Sequence, residues 1–139
     1  MNYNDIVKNF ISSHRISVLS ILTSESAPHA SALHYAWDKN TNSFIFFTRI
    51  DTIKYKTLEK QQSQASLVIG FSEEEFVTLQ FHGEVKLITN ENNLKEVYFA
   101  KYPNIREHEK DVDAVFLKFS PNWFRYTDYK TDEPTKFEF

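Results

Sequence analysis

Two periodicities divide the chain. Between Asp5 and about Ser13 the apolar residues Ile6, Val7, Phe10 and Ile11 recur at helical spacing, and Asp5 is a suitable cap, so a short amphipathic helix is predicted. From Ile16 the pattern changes to β-branched and aliphatic runs. Ile16 to Thr23 and His29 to Trp37, separated by Ser24-Glu25-Ser26-Ala27-Pro28, read as a hairpin. After a polar turn over residues 38–42, Ser43 to Thr48 is almost continuously apolar, as in a strand buried on both faces. A helix opened by Asp51 or Thr52 and running to about Gln62 would turn Ile53, Tyr55 and Leu58 inward.

The second half repeats the strand signal more strongly. Ala65 to Phe71 is a fourth strand, and the acidic turn Ser72-Glu73-Glu74-Glu75 follows it. In Phe76 to Thr89, Val77, Leu79, Phe81, Val85 and Leu87 alternate with Thr78, Gln80, His82, Glu84 and Lys86, the pattern of a strand with one face dry. Asn90 to Tyr102 is predicted helical, with Leu94, Val97, Tyr98 and Lys101 at suitable spacing and Pro103 ending it. Val112 to Phe119 and Trp123 to Asp128 complete the sheet, with Ser120-Pro121-Asn122 read as the turn between them. No repeat or linker interrupts the series, so residues 1–139 are expected to form one domain. The expected fold is mainly β, a six- or seven-stranded antiparallel barrel with peripheral helices.

Composition narrows the chemistry. Thirteen Phe, seven Tyr and two Trp supply ample core volume, whereas glycine occurs only at Gly70 and Gly83. Two glycines thirteen residues apart can build neither a dinucleotide fingerprint nor a P-loop, so any phosphate must be held in another way. A formal charge of -3 lacks the basic footprint of a nucleic-acid binder. There is no cysteine, which excludes disulfides and thiolate metal sites and fits a reducing compartment. No apolar run approaches a membrane span, and the first fifteen residues lack a leader-like apolar core, so a cytoplasmic protein with no membrane association is expected.

The segment Thr48-Arg49-Ile50-Asp51-Thr52-Ile53-Lys54 carries the most chemistry. A strand ends in a hydroxyl, a second hydroxyl starts a helix, and a lysine follows in its first turn. Such a helix start offers unpaired N–H donors, and Thr48, Thr52, Arg49 and Lys54 would add donors for a phosphate. The same residues also describe a capped surface helix with solvated charges. His29 and His34, five apart on a strand, point to opposite faces and cannot share an ion, so no metal site is expected. Glu73, Glu74 and Glu75 read as a solvated turn. Trp37, Trp123, Phe124 and Tyr126 are suited to core or interface packing, and also to stacking on a planar ligand. No nucleophile elbow or Ser-His-Asp arrangement is present.

Several weak motifs in order carry a resemblance. The run Pro28-His29-Ala30-Ser31-Ala32-Leu33-His34-Tyr35 is followed by Phe44-Ile45-Phe46-Phe47-Thr48, Thr52-Ile53-Lys54, and the strand Ala65-Ser66-Leu67-Val68-Ile69. With Thr78 to Val85, this series resembles the pyridoxamine 5'-phosphate oxidase-like FMN-binding split barrels over roughly residues 15–128. The resemblance implies an FMN-binding flavoprotein and oxidoreductase, a homodimer with the flavin in a cleft between subunits. It further implies that Ser31, Ala32 and Leu33 border the flavin through backbone groups and that Phe47 and Thr48 lie near the ribityl phosphate. Thr52 and Lys54 would bind that phosphate, and Gln80 would reach the ring. The true oxidase carries basic residues near the positions of Ser31 and Ala36 and an arginine at that of Ile53, and its C-terminal arginine and histidine signature has no match in Trp123 to Tyr129. Pyridoxamine 5'-phosphate oxidase activity is therefore not expected. A noncatalytic barrel binding haem through His29, His34 or His82, a deazaflavin or a protein partner is the alternative, as is a degenerate barrel without cofactor.

Overall fold

The structure is a computed structural model describing residues 1–139. Its elements are α1 (Asp5–Ser13), β1 (Ile16–Leu22), β2 (Pro28–His34), β3 (Ala36–Asp38), β4 (Ser43–Arg49), α2 (Ile53–Leu58), β5 (Ser63–Ile69), β6 (Val77–Leu87), α3 (Asn92–Lys101), β7 (Ala114–Asp128) and β8 (Thr135–Glu138), with a 3-10 turn at Pro103–His108 after α3. The strands form an antiparallel sheet in the order β2-β1-β5-β6-β7-β4-β3, with β8 added to β7. The fold is mainly β, a curled sheet with a few helices at its margins.

The curl follows from chain order. The two ends of the sheet, β2 and β3, are separated in sequence only by Tyr35, so the sheet must bend round to bring them together. β2 then lies against β4 without ladder bonds, and the barrel is split there. Tyr35 itself is fully buried, and its hydroxyl donates to the Ile11 carbonyl at 2.6 Å, which ties α1 over one mouth of the barrel.

Alternation decides which faces are dry. Leu19, Ile21, Phe44, Phe46, Leu67, Ile69, Leu79, Phe81, Leu117 and Phe119 meet inside, joined by Val7, Phe10 and Ile11 of α1. Each such side chain contributes ~1.5–3 kcal/mol on burial. β4 is buried on its other face as well, because Ile45 and Phe47 meet Leu94, Tyr98 and Phe99 of α3 and Phe116 of β7. A doubly covered strand cannot alternate, which explains the run Phe44-Ile45-Phe46-Phe47.

Three local expectations change. The α1 cap is Asn4, whose side chain accepts from the Val7 N–H at 2.9 Å, and Ile6 is outside the buried stripe, 52% exposed. The second strand stops at His34, where Tyr35 turns into the core. Ser120-Pro121-Asn122 does not turn: β7 pairs with β6 throughout, and the register step from His82↔Trp123 to Gly83↔Pro121 leaves Asn122 as the extra residue of a bulge. A bulge accommodates the missing proline N–H. Gly83 is required at this point, because a Cβ would overlap the Ser120 carbonyl oxygen.

Candidate functional site

α2 follows β4 directly, and the two hydroxyls and the lysine singled out from sequence assemble at its start, facing β2. Thr48 is the last buried side chain of β4. Its hydroxyl donates to Thr52 Oγ1 at 3.4 Å, while Thr52 donates to the Arg49 carbonyl at 2.8 Å and accepts from the Tyr55 N–H at 3.3 Å as the cap of α2. These bonds fix the turn and set the phase of the helix. That phase is opposite to the amphipathic expectation: Ile53 is 49% exposed and Tyr55 is only half-buried, whereas Lys54 is turned inward with 5% exposure; Leu58 is buried as expected. The helix also ends at Leu58 rather than near Gln62. With six residues it adds little dipole, so an anion here would depend on side chains.

Lys54 Nζ donates to Ser31 Oγ across the split at 3.1 Å. No carboxylate lies within ion-pair distance of it. Burial alone pushes its ammonium below the ordinary lysine range. A desolvated cation whose single partner is a neutral hydroxyl lacks a counter-charge, and an anion beside Ser31 would supply it. Arg49 is different. Its guanidinium reaches Asp113 at 2.9 Å and Asp111 at 3.9 Å and lies over the Phe47 ring, so its charge is compensated inside the chain.

The residues proposed from sequence separate into three groups. Ser31, Thr48, Thr52 and Lys54 stand together at the split. Ala32 and Leu33 continue along β2; Ala32 is exposed on the outer face, and Leu33 packs toward the core with its carbonyl accepting from Ser17 Oγ at 3.0 Å. Phe47 and Gln80 lie apart. Phe47 is turned under α3, 5.5 Å from the Phe116 ring. Gln80 is exposed on the outer face in the row Ala32↔Val18↔Val68↔Gln80, three strand spacings or about 14 Å from Ala32. Sequence reasoning missed Asp111 and Asp113 as the partners of Arg49; the signal available was the acidic pair Asp111-Val112-Asp113 entering β7.

A broad surface depression lies elsewhere. It measures about 440 Å³ on the outer face of β1, β5 and β6, between Ser20, Ser66, His82 and Glu84, and no lysine or arginine lines it. His82 stacks on Trp123 at 4.3 Å beside it. No three His, Asp or Glu side chains converge as metal ligands, and no helix is long and apolar enough to cross a membrane.

A split antiparallel barrel whose seam holds a buried lysine and three hydroxyls is an arrangement suited to anchoring an anionic group. The chain belongs to the pyridoxamine 5'-phosphate oxidase family, whose model matches residues 4–128. No curated protein matches its sequence. Solved structures share the fold. A pyridoxamine 5'-phosphate oxidase-related, FMN-binding protein from Nostoc punctiforme is 12% identical with a TM-score of 0.72, the match covering 99% of this chain and 90% of that one. HutZ, the haem storage protein of Vibrio cholerae, is 12% identical with a TM-score of 0.73, covering 88% and 92%. A protein from Clostridium acetobutylicum related to general stress protein 26 is 16% identical with a TM-score of 0.70, covering 96% and 92%.

Proposed function

We propose that this chain is an FMN-binding flavoprotein that works as a homodimeric, cytoplasmic oxidoreductase. The observation that carries the reading is Lys54, a buried ammonium held by Ser31 and lacking a carboxylate. In this reading Lys54, Ser31, Thr48 and Thr52 hold the FMN phosphate and Ala32 and Leu33 border the flavin along β2, while Phe47, turned under α3, adds only its backbone next to Thr48. Bound flavin supplies hydride or electron transfer, and the chain supplies binding and orientation. Gln80, about 14 Å from Ala32 along the outer face, would meet the ring of the flavin rather than its phosphate. Support for a dimer comes from the outer face that carries Gln80: on β1, two strands from β6, Ile16, Val18 and Leu22 are 60%, 41% and 40% exposed.

Pyridoxamine 5'-phosphate oxidation is not part of this reading. Ala36 is 1% exposed against α3, which leaves no room for a basic side chain, and Ile53 points to solvent where the oxidase has its arginine. The relative named as a haem storage protein makes haem the second reading, with His34 and His82 exposed and available as ligands.

Absorbance of the protein as purified, then after incubation with FMN and separately with haem, distinguishes the two. Flavin bands that shift on binding support the proposal. No binding at FMN concentrations of tens of micromolar, or a Soret band with haem alone, would overturn it.

A further inference from the structure

A second group of donors lacks acceptors, at the opposite end of β4 from Lys54. Tyr3, Lys8, Trp37, Lys39 and Asn42, drawn from the segment before α1, from α1, from β3 and from the turn into β4, line a cavity of about 380 Å³. No lining residue is acidic, and neither lysine forms an ion pair. The site is built rather than incidental. The Tyr3 ring is wedged edge-on against Phe124 at 4.9 Å and Phe81 at 6.3 Å, and it meets the Trp37 indole at 6.0 Å. Tyr3 is only 7% exposed, and its buried hydroxyl lies beside the Asn42 side chain without reaching hydrogen-bond geometry to any group of the chain. Asn42 is oriented by its neighbour. The Trp37 N–H can only donate, and it donates to Asn42 Oδ1 at 3.2 Å, so the amide NH₂ must point the other way. There it meets only the Met1 thioether at 3.6 Å, a weak acceptor.

We propose that this cavity binds a small aliphatic dicarboxylate. Every unspent polar group of Tyr3, Lys8, Lys39 and Asn42 is a donor, so the matching ligand is rich in acceptors, and two ammoniums on separate elements call for two acid groups. One carboxylate takes the Asn42 amide and the Tyr3 hydroxyl in place of the Met1 thioether, the two lysines balance the charge, and the methylene stem lies on the half-buried Trp37 indole. A buried hydroxyl without a partner costs free energy that such an acceptor would return. The cavity is separate from the Lys54 seat. Thr48 stands six residues beyond Asn42 along β4, about 20 Å away. The proposal therefore stands whether or not the chain binds flavin.

The test uses the full chain carrying Trp123→Phe, freed of any flavin, so that Trp37 alone reports by its fluorescence. It is titrated near neutral pH and at constant ionic strength with glutarate, with the monoacid butyrate and with inorganic phosphate. Glutarate should give a saturating change, and butyrate and phosphate should each bind at least ~10-fold more weakly. Lys8→Gln and Lys39→Gln, both at exposed positions, should each weaken glutarate by ~10-fold, and added salt should weaken it further. Tyr3→Phe should weaken it by a similar ~10-fold while leaving the urea midpoint no lower than the parent's, because the hydroxyl it removes has no partner in the free chain. The inference is overturned if glutarate leaves Trp37 unchanged at tens of millimolar, if butyrate or phosphate binds as tightly, if the three variants bind like the parent, or if Tyr3→Phe lowers the urea midpoint.

Discussion

Arg49 and Lys54 lie on either side of one short turn, yet their charges meet opposite fates. Arg49, at the end of β4, is half-exposed and answered by Asp113 and Asp111 from the strand entry beside it. Lys54, one turn into α2, is buried and answered only by a hydroxyl. The first cation is structural and spends its charge within the chain; the second pays a desolvation cost that only an anion from outside relieves. Net charge and motif spacing do not distinguish them, since both are basic residues in the same hydroxyl-rich segment. Burial and partner do.

The comparison is broken most readily by substitution. Lys54→Ala should weaken FMN by about 1.5–3 kcal/mol, or roughly 10- to 150-fold, whereas Arg49→Ala should change it by no more than about twofold, measured by flavin fluorescence titration. Equal losses would erase the distinction. In the absence of FMN the order reverses in sign: Lys54→Met, which replaces an unpaired buried charge by an apolar chain of similar length, should raise stability by about 1 kcal/mol in urea unfolding. Arg49→Gln should lower it by at most about 1 kcal/mol, because the pair it breaks is partly solvated and leaves two aspartates facing each other.

The remaining effect is in pH. Lys101, lowered by burial and then by the Arg15 charge, titrates near 8 in the folded chain against 10.5 for an unperturbed lysine, so between these values the unfolded chain binds more protons and stability should rise with pH. Lys54 acts in the same direction. Tyr3 and Tyr98 are raised by burial to about 12 from 10.0, so above about 10 the folded chain holds more protons and stability should fall. Urea midpoints measured across this range should therefore pass through a maximum near pH 10, and Lys101→Met should flatten the rising limb.

Much of the fold was legible because one periodicity dominated. The alternation from Val77 to Leu87 and the unbroken apolar run of β4 both follow from which faces are covered, and both are read directly from residue type. The Pro121 bulge was not legible: a Ser-Pro-Asn triplet looks the same in a turn as in a strand that gains one residue, and only the pairing of β7 with β6 separates them. The site was legible in part for a related reason. Thr48, Thr52 and Lys54 are neighbours in sequence, but the helix phase that buries Lys54 and exposes Ile53 is set by the Thr52 cap and by Ser31 across the split, 23 residues away. The grouping of Tyr3 and Lys8 with Trp37 and Lys39 is longer in range still, and no local pattern announces it.

The central claim is that the buried ammonium of Lys54 is completed by the phosphate of a flavin. Its most direct test compares FMN with riboflavin, which has the same ring and no phosphate, in parallel titrations of the purified protein. FMN should bind tighter by at least ~10-fold, the margin of one charge-assisted hydrogen bond, and this preference should vanish in Lys54→Ala. Equal affinity for the two flavins, or no binding of either, would contradict the account.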